Sequence, residues 1–330
     1  MQGRLLKLAV VLLVACAGAA FCGAGAADDG AVRVTFDPAN EMHPDWSPDG
    51  KQIVFESDRT GDLELFVISL ETAIETRITS DPGWDARPAW SRDGSLIAFE
   101  SDRSTDSTVP GYPMCELFVI YPTGEPAIQV TDWPRYNERP DWSPDGTELV
   151  YASDFHFSKD GAAYQSFEYD HPANLWRIPV AGGTPVQVTT DGGYENDVEW
   201  SYDGSTLVFS ADYSGNWDIW TIPAGGGTAT QLTTDPALDQ DPTWSPDGSA
   251  VAFWSERSGN ADIWIVPATG GAATQVTTSA SYDWCPSWSP DGTKIAFHSG
   301  RDGSKGIYII DVPGTPVEPS TLGQIKAMFK

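Results

Sequence analysis

The sequence predicts an all-β fold: a six-bladed β-propeller with four antiparallel strands in each blade, closed by an N-terminal strand that completes the last blade. Three observations support this prediction. A Trp-Ser-x-Asp-Gly segment recurs six times along the 330 residues. The 32 Gly and 25 Pro residues disfavour a helix bundle, and the 14 Trp, 13 Phe and 11 Tyr suit pleated surfaces. A hydrophobic content of 40% argues against disorder, because it allows a sizeable core.

The spacing of the repeated segment sets the number of blades. Successive segments are 44, 52, 58, 44 and 44 residues apart, and they begin at Trp46, Trp90, Trp142, Trp200, Trp244 and Trp288. A period of about 40–45 residues is typical of one four-stranded propeller blade. Each segment is followed by a short apolar run such as Ile53-Val54-Phe55, and the predicted fourth strands end in Thr. Six repeats therefore predict six blades.

The repeated segment itself predicts a tight turn. In Ser47-Pro48-Asp49-Gly50, Pro suits the second position of a type I turn and Gly suits the fourth. Arg92 and Tyr202 replace this Pro in two repeats, which a type I turn tolerates. We expect the recurring Trp to pack between neighbouring blades.

The end of the last repeat predicts how the ring closes. Its expected fourth strand meets Pro313, Pro316 and Pro319, and proline cannot serve the interior of a paired strand. Arg33-Val34-Thr35 carries the fourth-strand pattern ahead of the first blade. This N-terminal segment is therefore expected to complete blade 6.

The N-terminus predicts export from the cytoplasm. Residues 1–27 have a basic start, an apolar run and small residues, which is the pattern of a secretory signal peptide. An alternative is a lipoprotein signal, because Leu13-Val14-Ala15-Cys16 resembles a lipobox that would anchor the chain to a membrane through Cys16. The predicted propeller covers 28–319 and a C-terminal tail covers 320–330. The mature protein is expected to be periplasmic or secreted, with Cys115 and Cys285 unpaired.

The motifs resemble a known repeat. The pattern Pro-x-Trp-Ser-Pro-Asp-Gly, followed by Ile-Ala-Phe-x-Ser-x-Arg and Asp-Ile-Trp, is similar to the TolB-type β-propeller repeat over 31–312. The resemblance covers the propeller module without the α/β domain that precedes it in TolB. It implies a partner-binding role in the cell envelope, by analogy with the family.

Two insertions predict which face carries the function. Blades 2 and 3 have 8 and 14 extra residues between their second and third strands. In an antiparallel blade with strands A to D, this B–C connection emerges on the same face as the D–A loops. We call it the insertion face, and we call the opposite face, with the A–B and C–D turns, the A–B face. Because the extra residues lie on one face alone, we expect binding to take place on that face.

Polar residues near the start of each first strand are the candidate site. Five residues before each Trp stand five carboxylates and one amide: Glu41, Asp85, Asn137, Glu195, Asp239 and Asp283. We call these the strand-start residues. The preceding Thr always lies 11 residues before the Trp. This constant link predicts that the strand-start residues converge on one axis, where the five carboxylates would hold Ca²⁺ or a cationic partner segment. His43 and Asp241 are expected as further contacts. The alternative is that each acid caps a turn or pairs locally.

The charge and motifs narrow the function. With a net charge of −28, the chain is not expected to bind nucleic acid, and it would meet a membrane only through Cys16. The leading hypothesis is a scaffold that binds a protein or peptide in the cell envelope through the insertion face. The rival is a carbohydrate-active lyase or hydrolase at the channel mouth. Whether the protein is an enzyme stays open, since His43, His156, His171 and His298 show no compact metal-binding spacing.

Overall fold

The computed structural model describes residues 29–103, 115–132, 136–154, 173–190 and 192–315. The predicted signal peptide (1–27, with Cys16), the tail (320–330) and the two insertions at 104–114 and 155–172 lie outside the described residues. Within the described part, 24 strands form six antiparallel sheets of four strands each, and these sheets are the predicted blades. In that part no helix is long and apolar enough to cross a membrane.

The blades share one strand order. The first strands, β2, β6, β10, β14, β18 and β22, are Glu41–Trp46, Asp85–Trp90, Asn137–Trp142, Glu195–Trp200, Asp239–Trp244 and Asp283–Trp288. The second strands, β3, β7, β11, β15, β19 and β23, are Gln52–Ser57, Ile97–Ser101, Glu148–Asp154, Thr206–Ala211, Ala250–Ser255 and Lys294–Ser299. The third strands, β4, β8, β12, β16, β20 and β24, are Glu64–Ser69, Glu116–Tyr121, Ala173–Pro179, Asp218–Pro223, Asp262–Pro267 and Gly306–Asp311. The fourth strands are β5, β9, β13, β17, β21 and the N-terminal β1: Glu75–Arg77, Gly124–Gln129, Val186–Gln187, Thr230–Gln231, Thr274–Gln275 and Val32–Arg33.

The N-terminal strand closes the ring as predicted. β1 pairs antiparallel with β24, and the register sets Val32 opposite Ile309. Just beyond the strand, the Val34 amide donates to the Ile307 carbonyl at 2.8 Å, and the Ile307 amide donates to the Thr35 hydroxyl at 2.9 Å. Residues almost 280 positions apart thus complete one blade.

The repeated turn has the hydrogen bonds that its residues allow. In blade 1 the Gly50 amide donates to the Ser47 carbonyl at 2.9 Å, which is the closing bond of a four-residue turn. The Ser47 hydroxyl donates to Asp49 at 2.7 Å and accepts the Gln52 amide at 2.9 Å. Gly50 has a φ of 69°, where a side chain would be strained. The same Ser–Asp bond recurs in all six blades, which explains why these residue types repeat.

The hydrophobic core lies between the blades, and the recurring Trp packs there as predicted. Trp46 of blade 1 belongs to a buried cluster with Phe55 of its own blade and with Ile307 and Ile309 of blade 6. Each of the other five Trp residues likewise sits in a buried cluster. Neighbouring blades therefore stabilise each other, as in other repeat architectures.

The two cysteines of the described part form no disulfide. The buried Cys115 thiol donates to the Asn137 carbonyl at 3.1 Å. The Cys285 thiol lies 3.1 Å from a carboxylate oxygen of Asp241. Each thiol therefore has a polar partner of its own.

Closure by β1 predicts that two nearby substitutions differ sharply in their effect on stability. Val34→Asp places a charge at a fully buried position of the closing segment, whereas Phe36 is 54% exposed. We expect Val34→Asp, or deletion of 31–36, to lower the free energy of unfolding by at least about 3 kcal/mol, because the substitution buries a charge and the deletion removes two buried valines from the core. Phe36→Asp is the matched control and should cost less than about 1 kcal/mol. Urea unfolding measures both, and equal stability of the two variants would contradict this mode of closure.

Candidate functional site

The strand-start residues are buried at the borders between blades. Asp239 and Asp283 are fully buried, and each accepts hydrogen bonds from an arginine of its own blade. The Asp239 oxygens lie 2.8 and 2.7 Å from Arg257 Nη2, and those of Asp283 lie 2.9 Å from Arg301 Nη2. Glu41 and Asp85 pair in the same way with arginines of their blades. Tyr213 donates to Glu195, and Ser153 donates to Asn137 at 2.9 Å.

The same side chains also contact the preceding blade. The Thr189 hydroxyl and the Leu175 amide of blade 3 both donate to Glu195 of blade 4. In the other four blades with a carboxylate at this position, the terminal Thr of the preceding blade lies beside the carboxylate and tends to lower its pKa: Thr35, Thr79, Thr233 and Thr277. The hydroxyls of Thr79, Thr233 and Thr277 donate to Glu64, Asp218 and Asp262 of their own blades. The strand-start residues and the terminal Thr residues therefore meet where adjacent blades adjoin.

The expected convergence of the five carboxylates on the axis is therefore wrong. Each carboxylate has an arginine or a hydroxyl as its partner at its own blade border. Across the described residues, no three His, Cys, Asp or Glu side chains group as a metal site. Their assignment as ligands of Ca²⁺ or of a partner stays a prediction, and calorimetric titration with Ca²⁺ tests it.

The residues two positions further on face the channel instead. They are His43, Arg87, Arg139, Asp197, Asp241 and Cys285, and all line the central cavity. All six have positive φ, from 47° to 54°, at a bulge where the pairing of the first and second strands shifts register. Such bulges redirect side chains. We call this set the channel ion layer; it includes the predicted contacts His43 and Asp241.

Ion pairs join the members of this layer. Arg139 reaches both Asp197 and Asp241, which belong to the next two blades. Arg87 Nη1 lies 3.1 Å from Glu138, and its Nε lies 3.4 Å from Glu100. On the first blade, His43 Nδ1 lies 2.8 Å from Glu56. The layer therefore sets basic side chains of three blades against acids contributed by five.

The electrostatics of the layer separate its acids into two classes. Burial tends to raise the pKa of Glu56, but His43 and Arg87 together outweigh it and lower this pKa to about 2. Arg139 and His43 likewise overcome burial and lower the pKa of Asp241 to about 2. Burial instead raises the pKa of Glu100 to about 7, despite the neighbouring Arg87. His298 is buried near His43, and burial lowers its pKa to about 3.

A cavity of roughly 410 Å³ extends from this layer towards the A–B face. Beyond the layer, three further carboxylates line it: Asp45, Asp141 and Glu199. Each accepts the backbone amide of the next blade's Trp, at 2.7, 2.8 and 3.2 Å. Burial raises the pKa of Asp45 to about 6, and burial with the nearby Asp141 raises that of Glu199 to about 8. The cavity therefore carries acids whose charge is poorly compensated.

Sequence reasoning missed the residues at the A–B mouth of this cavity. Pro48, Pro144 and Pro290 line the mouth together with the two exceptions to the turn motif, Arg92 and Tyr202. These exceptions were visible in the sequence as departures from Pro. The predicted insertion face and the observed cavity mouth are thus at opposite ends of the channel.

The raised carboxyl pKa values predict that stability falls as the pH rises. The folded protein holds protons on Asp85 and Asp45 to about pH 6, on Glu41 and Glu100 to about pH 7, and on Glu199 to about pH 8. The unfolded chain releases them near pH 4. More protons are bound in the folded state over this window, so the free energy of unfolding decreases from about pH 5 to pH 8. His298 has the opposite effect: below its ordinary pKa the unfolded chain binds a proton there that the folded protein does not bind.

Thermal melts across this range test the prediction. We expect the highest Tm near pH 5, because Glu56 and Asp241 stabilise the fold only while they are ionised and lose this effect below about pH 4. Glu199→Gln, which keeps the oxygen that accepts the Trp244 amide, should flatten the decline between pH 6 and 8. A Tm that rises from pH 5 to 8 would contradict this assignment.

Comparison with known proteins agrees with this architecture. A protein assigned to TolB from Agrobacterium tumefaciens is 21% identical with a TM-score of 0.62, covering 85% of this chain and 93% of that one. TolB of Acinetobacter baumannii is 19% identical with a TM-score of 0.58. The match covers 83% of this chain and 63% of that one. An oligogalacturonate lyase from Vibrio parahaemolyticus is 16% identical with a TM-score of 0.59, at 86% and 93% coverage. At these identities the likeness shows the fold alone.

Sequence comparison identifies the family. No curated protein sequence matches the chain. The TolB β-propeller domain family matches residues 27–154, 155–284 and 242–328, and these stretches together span all six blades. The chain therefore belongs to the TolB β-propeller domain family.

Proposed function

We propose that this protein is an extracytoplasmic TolB-like propeller that binds a protein or peptide in the cell envelope through its insertion face. The carrying observation is a set of large aromatic side chains at the ends of the D–A loops, one residue before the strand-start residues: Trp84, Tyr136, Tyr194 and Tyr282. All four are half-buried, so each presents part of its surface on that face. Aromatic residues of this kind dominate the energetics of protein interfaces.

The aromatic set is held in place by its surroundings. The Asp102 carboxylate accepts the Trp84 amide at 2.8 Å, and that of Asp212 accepts the Tyr194 amide at 2.9 Å. The Tyr282 ring stacks on Trp284 with centroids 4.3 Å apart. Because the loop backbone at Trp84 and Tyr194 and the ring of Tyr282 are held before a partner arrives, less conformational entropy is lost on binding. Both sequence insertions emerge on this same face.

Lys305 and the channel ion layer supply charge to the proposed surface. Lys305 Nζ lies 5.9 Å from the Trp284 ring centroid, and His43 and Asp241 lie further along the channel. These groups suit a polar or charged segment seated over the channel, and they keep His43 and Asp241 in the proposed contact set. Export from the cytoplasm is part of the proposal and rests on residues 1–27.

A carbohydrate-active lyase or hydrolase at the channel mouth is the second candidate. The likeness to an oligogalacturonate lyase over 86% of this chain favours it. An acidic sugar would need free cations, whereas Arg87 and Arg139 are each already paired with two carboxylates. Incubation with oligogalacturonates, followed by the ultraviolet absorbance of unsaturated products, tests this candidate.

Substitution of the aromatic residues tests the binding proposal. Trp84→Ala and Tyr282→Ala should each weaken partner capture from envelope extract by at least about tenfold, since an aromatic anchor contributes about 2 kcal/mol. Tyr121→Ala is the matched control: this residue is 53% exposed and ends β8, on the A–B face. Capture by the control should equal that of the unchanged protein.

Site-specific photocrosslinking locates the face directly. A photoreactive amino acid at the exposed positions Thr60 or Thr234 lies on the insertion face, whereas Lys51 or Thr147 lies on the A–B face. Adducts with an envelope protein are expected from the first pair. Adducts from the second pair alone would overturn the choice of face.

A further inference from the structure

The two departures from the turn motif meet across the A–B mouth of the channel. Four blades place Pro after the turn serine, whereas blade 2 has Arg92 and blade 4 has Tyr202. The Arg92 guanidinium carbon lies 3.6 Å from the Tyr202 ring centroid, and Nη2 donates to the Trp200 carbonyl at 3.0 Å. Blades 2 and 4 are not neighbours, so the side chain reaches across the mouth past blade 3.

The surroundings of Arg92 are acidic. Nη2 lies 4.0 Å from Glu199, and Asp45 and Asp141 line the same cavity. Arg87 and Arg139, at the far end, are paired with other carboxylates. Asp45, Asp141 and Glu199 therefore have one guanidinium among them at this end of the channel, and Asp45 also accepts the Ser287 hydroxyl at 2.8 Å. Each of the three acids that is ionised favours a cation there.

The contacts of Arg92 are those that distinguish a guanidinium from other cations. A guanidinium stacks its flat face on an aromatic ring while its N–H groups donate in the plane to oxygen acceptors. Tyr202 supplies the ring, the Trp200 carbonyl supplies one acceptor, and Glu199 supplies a carboxylate beside it. A compact ammonium group would use the charge but not the stacking geometry.

We propose that the A–B mouth of the channel is a binding site for an arginine side chain of a protein or peptide partner, that Arg92 fills this site in the free protein, and that the partner binds by displacing Arg92. The site lies at the opposite end of the channel from the insertion face. It is therefore independent of the partner proposed for that face.

The geometry allows the exchange. Arg92 sits on a surface turn and is 20% exposed, so its long side chain can swing into solvent. The cavity of roughly 410 Å³ has the volume of about ten or more water molecules, which leaves room for an incoming side chain. Pro48, Pro144 and Pro290 form an apolar rim that would contact the methylene stem of that side chain.

Arg92→Pro tests the exchange with the turn residue that four other blades already use. The probes are a short uncharged peptide with one central arginine and the same peptide with citrulline, a neutral isostere. We expect calorimetry to show the arginine peptide binding at least about tenfold tighter to Arg92→Pro than to the unchanged full-length protein, because the internal competitor is gone. The citrulline peptide should bind neither. Tyr202→Leu, added to Arg92→Pro, should abolish the gain.

Pro246→Ala is the matched control, since Pro246 has the same turn position in blade 5 and is not among the residues that line the cavity. It should bind the arginine peptide as the unchanged protein does. The proposal would be overturned if Arg92→Pro and the unchanged protein bound the arginine peptide equally well. It would also be overturned if Arg92→Pro bound the arginine and citrulline peptides equally well. Arg92 would then be a clamp between blades and nothing more.

A second measurement does not depend on the folding of the variant. Cys285 lines the same cavity. In the unchanged protein, saturating arginine peptide should slow maleimide labelling of Cys285 at least about twofold. Mass spectrometry of the proteolytic fragment that contains Cys285 measures the labelling. Labelling that is the same with the arginine and the citrulline peptide would also overturn the proposal.

Discussion

Closure of the ring by the N-terminal segment is the constraint on which the rest of the structure depends. Without β1, blade 6 would have three strands, and the cluster that joins Trp46 to Ile307 and Ile309 would lose Val32 and Val34. The channel exists only because six blades meet around one axis. Side chains from blades far apart in sequence, such as Arg139 and Asp241, are brought together by that closure alone.

Part of the acidic composition is used inside the molecule. Carboxylates at the blade borders accept hydrogen bonds from an arginine, or in Glu195 from a tyrosine and a threonine, and Asp45, Asp141 and Glu199 accept backbone amides of the next blade. Burying such groups is unfavourable unless they are paired, and breaking one partner leaves an uncompensated charge. Adjacent blades are therefore joined by polar contacts at the rim and near the axis, with apolar packing between these levels.

The sequence was sufficient to predict the blade count, the turn chemistry, the packing of the six Trp residues and the closing strand. All of these follow from the period and from residue types that recur at each repeat. The direction of the acidic side chains did not follow, because a bulge between Met42 and Asp45, and at the equivalent place in each blade, changes which residue faces the axis. The period carries no sign of that bulge. The Arg of the Ile-Ala-Phe-x-Ser-x-Arg motif was visible in the sequence. It indicated that each acid pairs with an arginine of its own blade, which is the local pairing of the alternative hypothesis.

The left-handed residues of the channel ion layer have a consequence for how this channel can change. An L-residue in that conformation costs about 1–2 kcal/mol, and glycine would avoid the cost. None of the six positions is glycine: they hold His43, two Arg, two Asp and Cys285. The strained backbone thus presents four kinds of functional group to a common centre. Each group lies on a separate repeat with its own supporting strands, but Arg139 pairs with both Asp197 and Asp241. Exchange of one member therefore leaves the charge of its partner uncompensated. The axis of this protein is a six-position array whose paired members can change only together.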